Sequence, residues 1–513
     1  MKNNFLLFFI LLFFLITRLY QIESVPASLY WDEASIAVNA YSVALTGRDE
    51  WGDLFPLHFR AFGEFKLPVY IYSVAVFEKF LGLSELAVRL PAVLFSFGTI
   101  LLTYLLALKI FNQKTTALLS AFFLSILPWF FIFSRTGYEA TAGLMFYILG
   151  IYLMLFTGQN RIWPLISVLS FAVSLYSYNS FRIITPLTFL CLTGYFIWIR
   201  RADFKKIALI SLISIFVFLL SLVPIYRLTA SEGTTRLQAV SIGNGEAPGQ
   251  EIITVFLQNY ISHFSPNFLF ISGDANLRSQ TGNSGQLYFV NLLLIVFGIV
   301  FVLKNRKPLQ YLPILLMLFA PIPAAITKES PHALRAISGV PFLAILSAVG
   351  AVYFLDRVKF RRLFLCALVV GFLVMFAVYF KSFLTEYPNI SSKDWQYGYK
   401  KIFTEFTGEF GQFERIIVSD YMAQPYIFVL YYLKIDPAVF LSSVEYNPVD
   451  KWGFSTVASF DKFQFKPVDR RNLPQGKVLI FASPLEKLDI EEKSVIYNLD
   501  GSTAFYVYDY QQK

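Results

Sequence analysis

Residues 363–380 read LFLCALVVGFLVMFAVYF, an apolar run of 18 residues with no charged side chain. A helix of about 20 such residues spans the hydrocarbon core of a bilayer, which is about 30 Å thick. With a first run at residues 5–17, the sequence predicts an α-helical polytopic membrane protein with about eleven transmembrane helices. The other apolar runs, of about 17–25 residues each, lie at residues 86–108, 115–133, 139–157, 163–180, 183–199, 207–225, 287–303, 309–325 and 338–355.

The composition excludes several classes of protein. Of the 513 residues, 56% are hydrophobic and only 15% are charged, which is more apolar than a soluble domain tolerates. The net charge of +9 arises from Lys and Arg at the ends of the apolar runs rather than on one basic face, which argues against a nucleic-acid partner. The only cysteines, Cys191 and Cys366, lie in predicted spans, so neither a disulfide framework nor a thiolate metal site is indicated.

The distribution of Lys and Arg predicts the orientation of the chain. With a cytoplasmic N-terminus, residues 18–85, 226–286 and about 381–513 lie outside, and the expected location is the plasma membrane. The run at 5–17 is either the first span or a signal sequence, since Val25-Pro26-Ala27 weakly resembles a peptidase site. The basic residues occupy alternate short loops, which the positive-inside rule assigns to the cytoplasm: Lys109, Lys114, Arg161, Arg200, Arg201, Lys205, Lys206, Lys304, Arg306, Lys307, Arg357, Lys359, Arg361 and Arg362.

The chain changes character after the last span. The sequence predicts a transmembrane domain at 1–380, with an outer loop 1 at about 24–85, and an extracytoplasmic α/β domain at 381–513. No Gly-rich phosphate loop occurs in the tail, so a nucleotide-binding role has no support. The α/β prediction rests on short β-type runs that alternate with helix-compatible stretches, at residues 415–419, 477–481 and 504–508.

The first outer loop carries an acidic pair close to the membrane. The pair is Asp32-Glu33, directly after the first apolar run, where a carboxylate facing lipid would be costly. Side chains of adjacent helical residues diverge by about 100°, so we expect one carboxylate to act chemically and the other to support it. Helix-compatible stretches up to Leu45 and at 62–72, rich in aromatic residues, predict two interfacial helices joined by a loop.

This loop resembles that of the GT-C glycosyltransferases, in particular the family that includes the protein O-mannosyltransferases and the lipid A aminoarabinose transferase. Asp32-Glu33 matches the acidic pair of that family. Lys66-Leu67-Pro68 resembles the Lys-Pro-Pro of the aminoarabinose transferase, where the lysine lies near the lipid phosphate, and Arg89-Leu90-Pro91 is similar to the Arg-x-Pro that opens the second span. The resemblance covers roughly residues 1–225 and implies a multi-span core and a sugar donor carried on a polyprenyl monophosphate.

One position departs from the family pattern. Phe65 stands where a carboxylate is expected directly before the lysine, and Glu64 lies one place earlier. By this resemblance Glu64 is the candidate carboxylate for contacts with the sugar or the acceptor.

Transfer of a sugar to a hydroxyl needs a base and a group that stabilises the leaving phosphate. An Asp within hydrogen-bond reach can take or orient the hydroxyl proton during attack on the anomeric carbon, and we assign this role to Asp32, with Glu33 in support. Lys66 and Arg89 are the candidates for stabilising the leaving phosphate. Structural alternatives exist, because Asp32 can cap the following helix and the two cations can anchor the loop at the membrane surface.

Two further outer-side segments carry candidate residues. Arg135 and Glu139, between the third and fourth predicted spans, are expected to bind phosphate and sugar hydroxyls respectively, or to pair with each other because they are four residues apart. Tyr178 and Arg182 lie at a polar, aromatic span end and are candidate sugar or acceptor ligands. Ordinary interfacial residues produce the same pattern.

The later loops supply three more candidates. His332 and Arg335 are three residues apart, hence on one face of a helix, and are expected to contact the donor phosphate or to have only a structural role. Asp274 is a candidate for sugar or acceptor binding, with loop ordering together with Arg278 as its alternative. His263 is expected to be solvated or to line a pocket wall.

The metal requirement stays open at this stage. No spacing of His and carboxylate residues is typical of a strong metal site. A divalent cation held between loops by Asp32, Glu33 and Asp274 is one expectation.

The sequence favours a membrane glycosyltransferase that moves a hexosyl or pentosyl group from a polyprenyl-monophosphate carrier to an acceptor hydroxyl or amine at the outer face, with inversion. The first alternative is a transporter or flippase of lipid or glycan, but that class places ionisable residues near mid-span, where this chain has almost none. The second is a scaffold whose tail recruits partners, which leaves the acidic pair unexplained. Protein, lipid and glycan acceptors all stay open.

Overall fold

The computed structural model describes residues 2–62, 64–157, 162–199, 204–228, 240–243, 249–422, 424–448, 455–469, 471 and 473–512, without the side chains of residues 2–4, 64, 204–210, 228, 249, 250 and 512. The helices are α1 (Lys2–Leu19), α2 (Trp31–Thr46), α3 (Pro68–Leu81), α4 (Glu85–Phe111), α5 (Lys114–Ile126), α6 (Pro128–Phe133), α7 (Ala140–Met154), α8 (Ile162–Leu175), α9 (Phe181–Ile199), α10 (Phe204–Leu228), α11 (Gly249–Ser262), α12 (Phe289–Asn305), α13 (Leu312–Phe319), α14 (Ile322–Ala325), α15 (Val340–Leu355), α16 (Arg361–Thr385), α17 (Tyr387–Ser391), α18 (Tyr397–Glu405), α19 (Pro425–Tyr432) and α20 (Pro437–Ser443). The strands are β1 (Phe59–Ala61), β2 (Glu64–Lys66), β3 (Arg415–Val418), β4 (Glu445–Tyr446), β5 (Val457–Phe460), β6 (Phe463–Phe465), β7 (Gly476–Ala482), β8 (Ser494–Tyr497) and β9 (Thr503–Gln512).

Apolar helices occupy every predicted span. Within the described residues, five helical segments are long and apolar enough to cross a membrane: Glu85–Phe111, Phe181–Ile199, Pro308–Ala325, Ile337–Leu355 and Arg361–Thr385. Shorter apolar helices occupy the other predicted spans: Phe5–Leu19, Lys114–Ile126, Ala140–Met154, Ile162–Leu175, Ser211–Arg227 and Phe289–Asn305. The predicted helical membrane architecture is confirmed.

The chain forms two compact units. The first unit comprises Met1–Tyr20 and Ala92–Ser382 and contains most of the apolar helices. In it, α12 and α15 approach closely at two glycines: a Cβ atom at Gly298 would lie 2.1 Å from the Leu346 carbonyl oxygen, and one at Gly350 would lie 1.8 Å from that of Leu294. Small residues at such crossings let helix backbones pack together inside a membrane.

The second unit comprises Gln21–Pro91 and Phe383–Lys513. Its seven-stranded sheet has the order β4-β5-β6-β3-β7-β9-β8, in which β6, β3 and β7 run parallel and the other pairs run antiparallel. The three β-type runs of the tail form β3, β7 and β9, and the predicted C-terminal α/β fold is confirmed. The predicted division at residue 380 stays a prediction, and residues 21–91, which contain the predicted outer loop 1, share this second unit with the tail.

The first outer loop differs locally from the sequence prediction. α2 ends at Gly47, whose left-handed conformation (φ 72°) closes the helix without the steric cost of a Cβ atom. The predicted second helix at 62–72 begins only at Pro68, because β1 and β2 pair as an antiparallel hairpin that places Phe59 opposite Lys66. Proline suits the first position of a helix, where its missing N–H costs nothing. The hairpin thus ends at Lys66, two residues before α3.

Candidate active site

Asp32 and Lys66 form an ion pair in the second unit. Asp32 is the second residue of α2, and its Oδ1 accepts a hydrogen bond of 2.6 Å from the Lys66 Nζ at the end of β2. The Lys66 side chain is only 4% exposed, whereas that of Asp32 is 27% exposed. A buried ammonium is therefore held against a carboxylate that solvent can reach on one side.

Asp32 does not cap α2. The N-cap residue is Tyr30, which makes no side-chain capping bond. Instead, the Trp31 N–H donates to the Gln396 side-chain oxygen at 2.8 Å, so a residue of the C-terminal region satisfies a backbone donor at the helix start. The capping alternative for Asp32 is wrong.

Glu33 faces a different cation. Its two carboxylate oxygens accept hydrogen bonds from Nε and Nη2 of Arg89, each at 3.2 Å, and both side chains are fully buried. Such a bidentate pair fixes both groups in direction as well as in distance. The neighbours Asp32 and Glu33 thus have separate partners, in keeping with the divergence expected on a helix.

Arg89 is surrounded by further acceptors. Its guanidinium donates to the backbone oxygens of Ile22 (2.7 Å) and Ser28 (2.8 Å) and lies 3.3 Å from Glu85 Oε2. Glu85 in turn pairs with Lys400 of α18 at 2.8 Å. These contacts hold the path of the loop around Arg89, and the predicted contact of Arg89 with the donor phosphate stays a prediction.

The C-terminal region supplies residues that sequence reasoning missed. Lys400 also donates to the Ala27 backbone oxygen at 3.1 Å, and the Trp395 ring lies 5.9 Å from the Arg89 guanidinium carbon. The Trp395 indole N–H donates to the Tyr387 hydroxyl at 2.7 Å. No local pattern in the tail indicates the contact of Lys400 with Ala27, because the two residues are 373 positions apart in sequence.

Glu50 is a buried carboxyl in the same unit. Its Oε1 accepts from the Asn39 side-chain amide at 3.1 Å, and its Oε2 lies 3.4 Å from the Tyr426 hydroxyl. Burial raises the pKa of Glu50 to about 8, against the smaller opposing effects of the Asn39 amide, Tyr426 and the Lys66 charge. Glu50 is therefore largely protonated at neutral pH and adds no full negative charge beside Lys66.

Four other predicted residues lie in the first unit. Arg135 is fully buried and donates to the backbone oxygens of Thr17 (3.2 Å) and Tyr20 (3.0 Å). Glu139 and Arg182 are half-buried and interact electrostatically, and Tyr178 is half-buried in the loop before α9. The side chain of Glu64 lies outside the described residues. The ligand contacts assigned to these residues stay predictions.

Asp274, His332 and Arg335 come together in the first unit. Asp274 Oδ2 accepts from the Ala333 N–H at 2.6 Å and lies 3.9 Å from His332 Nδ1. Arg335 donates to the Thr327 hydroxyl at 2.7 Å and pairs with Glu329 at 3.2 Å. The predicted contacts of these residues with phosphate and sugar stay predictions.

His263 supports this cluster and was not identified as doing so from the sequence. It is buried, its Nε2 accepts from the His332 N–H at 3.1 Å, and its Nδ1 is 2.8 Å from the Asn259 backbone oxygen. Burial lowers the pKa of His263 to about 4 and, together with the Arg335 charge, that of His332 to about 3. Both imidazoles are neutral at neutral pH, so Arg335 is the charged candidate of this cluster for binding phosphate.

The arrangement of acidic residues gives little support to a metal site. Across the described part of the chain, no group of three or more His, Cys, Asp and Glu side chains is placed to hold a metal ion. Asp32 and Glu33 already have Lys66 and Arg89 as counter-ions. A divalent cation at this pair would have to displace an ammonium and a guanidinium, and the donor set therefore does not fit one.

Sequence and structure comparisons place the chain among known folds. Residues 66–226 match the sequence model of the dolichyl-phosphate-mannose-protein mannosyltransferase family. That segment begins at Lys66 and includes Arg89, Arg135 and Arg182. No curated protein shows significant sequence similarity to the chain.

Solved structures with a similar architecture include ArnT and AglB. ArnT from Cupriavidus metallidurans, solved bound to undecaprenyl phosphate, is similar with a TM-score of 0.56 and 14% identity, over 97% of both chains. The chain therefore has an ArnT-like fold. The archaeal oligosaccharyltransferase AglB from Archaeoglobus fulgidus, solved with an inhibitory peptide and a dolichol-phosphate, is similar over 84% of this chain with a TM-score of 0.54 and 13% identity. This chain spans 63% of the length of AglB.

Proposed function

We propose that the chain is a membrane glycosyltransferase that moves a sugar from a polyprenyl monophosphate to an acceptor hydroxyl or amine. The observation that carries the proposal is the Asp32–Lys66 pair, which joins a partly exposed carboxylate to a buried ammonium at 2.6 Å. The family match at 66–226 and the lipid phosphates bound in the ArnT and AglB structures support a donor of this class.

The two residues of the pair match the two chemical needs of transfer. The acceptor oxygen forms a bond to the anomeric carbon as the bond from that carbon to the phosphate oxygen breaks, which inverts the configuration. The acceptor proton passes to the Asp32 carboxylate, and the bonding electrons leave with the polyprenyl phosphate. The Lys66 ammonium places a fixed positive charge in a poorly solvated position, where it stabilises the developing phosphate charge most strongly.

Glu33 and Arg89 keep Asp32 in place under this proposal. Their buried ion pair ties the first turn of α2 to the start of α4 and to the backbone of residues 22–28. Because Asp32 precedes Glu33 directly, any rotation of α2 that moved Asp32 would also break the Glu33–Arg89 contact. We assign these two residues positioning roles because both side chains are fully buried, whereas that of Asp32 is 27% exposed.

Lys66→Met tests the donor chemistry. Methionine matches the buried stem of lysine in volume but cannot stabilise the leaving phosphate, so we expect transfer to fall about 10²–10³-fold, the scale for one lost preorganised donor. The measurement is the initial rate of sugar transfer from a polyprenyl-phosphate donor in proteoliposomes.

Lys79→Met is the matched control, because Lys79 is an exposed lysine on the neighbouring α3 and its loss should leave the rate unchanged. Wild-type transfer by Lys66→Met would reduce Lys66 to a structural residue. Lipid movement across the bilayer without any sugar transfer would favour the transporter alternative over the proposed enzyme.

We further propose that the site opens at the outer face of the plasma membrane, with the N-terminus cytoplasmic and the C-terminal domain outside. The support is the basic bias of the alternate loops. A reporter that is active only in the cytoplasm should be inactive when fused after Lys513 and active when fused in the predicted cytoplasmic loop after Arg306. Activity at Lys513 would overturn this orientation.

A further inference from the structure

An aromatic stack in the second unit has no role in the transfer chemistry. The rings of Trp51 and Tyr446 stack with centroids 4.6 Å apart and planes 17° apart. The guanidinium carbon of Arg60 lies 4.9 Å from the centroid of the Trp51 ring. The Tyr446 residue is 37% exposed, so part of an aromatic surface stays open to a ligand. Together with Asp49, these three residues are called the Trp51 platform.

Two buried polar atoms of the platform have no hydrogen-bond partner within the described residues. They are Oδ2 of Asp49, an acceptor, and Nε1 of Trp51, a donor. Asp49 is fully buried, and its Oδ1 already accepts from the N–H groups of Trp51 and Asp53, each at 2.9 Å. Unpaired buried polar groups are costly, so this arrangement favours a ligand that both donates and accepts hydrogen bonds.

The platform carries both signs of charge. Burial, together with the neighbouring Glu50 and Asp49, raises the pKa of Tyr446 to about 12 against the opposing effect of Arg60, so these groups all act on one hydroxyl. One guanidinium and one carboxylate suit a neutral ligand with many hydroxyls. Aromatic rings and polar groups with fixed directions together are what bind a sugar, which has apolar C–H faces and hydroxyl edges. A lipid tail would leave both orphan atoms unpaired.

The β-hairpin links the platform to the proposed site. Arg60 lies opposite Phe65, next to Lys66, in the register of β1 and β2. Glu50 lies between the platform residues Asp49 and Trp51 in sequence, and it is close enough to Lys66 for the lysine charge to lower its pKa. After β1, Phe62 stacks on Trp31, the residue before Asp32, with centroids 5.6 Å apart.

We infer that the Trp51 platform binds a neutral saccharide ring of the acceptor, with Tyr446 stacking on the ring and Asp49, Trp51 and Arg60 contacting its hydroxyls. This inference rests on the proposed function where it names the acceptor as a glycan or glycoconjugate. The binding itself requires neither the donor nor Asp32. Binding and transfer can therefore be tested separately.

The test measures saccharide binding to the full chain in nanodiscs with no donor present. The probes are neutral disaccharides of mannose, glucose, galactose and N-acetylglucosamine, detected by saturation-transfer difference NMR. At least one should bind the wild type. Tyr446→Ala should weaken that binding about tenfold, or about 1.4 kcal/mol, through loss of stacking, and Tyr446→Phe should retain it. Asp49→Asn should also weaken it, since the amide keeps the Oδ1 acceptor of the turn but replaces the orphan acceptor.

Tyr421→Ala is the matched control, because Tyr421 is an exposed tyrosine of the same unit that is not part of the platform. Its binding should equal that of the wild type. The inference is overturned if no probe binds the wild type, or if Tyr446→Ala binds as well as the wild type. Saccharide binding that depends on Tyr446 in a protein with no transfer activity would leave the platform standing and reject the proposed function instead.

Discussion

Asp32→Asn should lower sugar transfer about 10²–10⁴-fold, the range that general-base assistance contributes. The amide keeps the size of the side chain and an oxygen that can accept from Lys66, but it cannot take a proton. The start of α2 does not depend on Asp32, since Tyr30 is the N-cap and Gln396 accepts from Trp31. The substitution still removes the negative charge beside the buried Lys66 ammonium, so some stability should be lost, and the rate is therefore compared per amount of folded protein.

The measurement is the initial transfer rate in proteoliposomes, with thermal unfolding recorded on the same preparations. Glu23→Gln is the control, because Glu23 is an exposed carboxylate of the same loop. Full activity in Asp32→Asn together with none in folded Glu33→Gln would reverse the two roles. Full activity in both variants would place the chemistry elsewhere in the chain.

The membrane architecture could be predicted because the hydropathy of the sequence identifies the membrane-spanning segments directly. A span must satisfy its backbone hydrogen bonds within itself and expose apolar side chains to lipid, so each helix leaves a continuous apolar run in the sequence. The run at 363–380, for example, lies inside α16. The strands of the tail were predictable for a similar reason, since runs such as 477–481 are buried β-type segments.

The acidic pair was partly predictable from helix geometry. The divergence of neighbouring side chains indicated that Asp32 and Glu33 would have different surroundings, and the structure gives them Lys66 and Arg89 respectively. The resemblance to the GT-C family singled out the same two cations. The burial of Lys66 and Arg89 leaves no signal in the sequence, and the contact of Arg89 with the donor phosphate stays a prediction.

The missed features depend on contacts that are distant in sequence. The strand β2 falls within the stretch 62–72 that the sequence predicts as helix, because a strand of three residues is too short to show an alternating pattern. Lys400 and Gln396 reach the first outer loop from the tail, and nothing near them in sequence indicates which residues they meet. The grouping of residues 21–91 with the tail follows from such contacts.

Breaking the Glu33–Arg89 pair should chiefly destabilise the fold. Arg89→Met leaves Glu33 buried without its guanidinium partner and removes the hydrogen bonds to Ile22 and Ser28. Removing one partner of a buried ion pair costs about 3–5 kcal/mol. We therefore expect a large drop in folded yield and thermal stability.

The double variant Glu33→Leu with Arg89→Met separates a positioning role from a phosphate contact. It removes the stranded carboxylate, so it should be more stable than Arg89→Met alone, although the backbone oxygens of Ile22 and Ser28 still lose their donor. Thermal unfolding of the two single variants and the double variant gives the coupling free energy between the residues. If Arg89 acts by positioning α2, the kcat of the folded protein should fall in each variant, while the KM for the polyprenyl-phosphate donor should change little. Wild-type stability in Arg89→Met combined with a strongly raised KM for that donor would instead assign Arg89 to the phosphate.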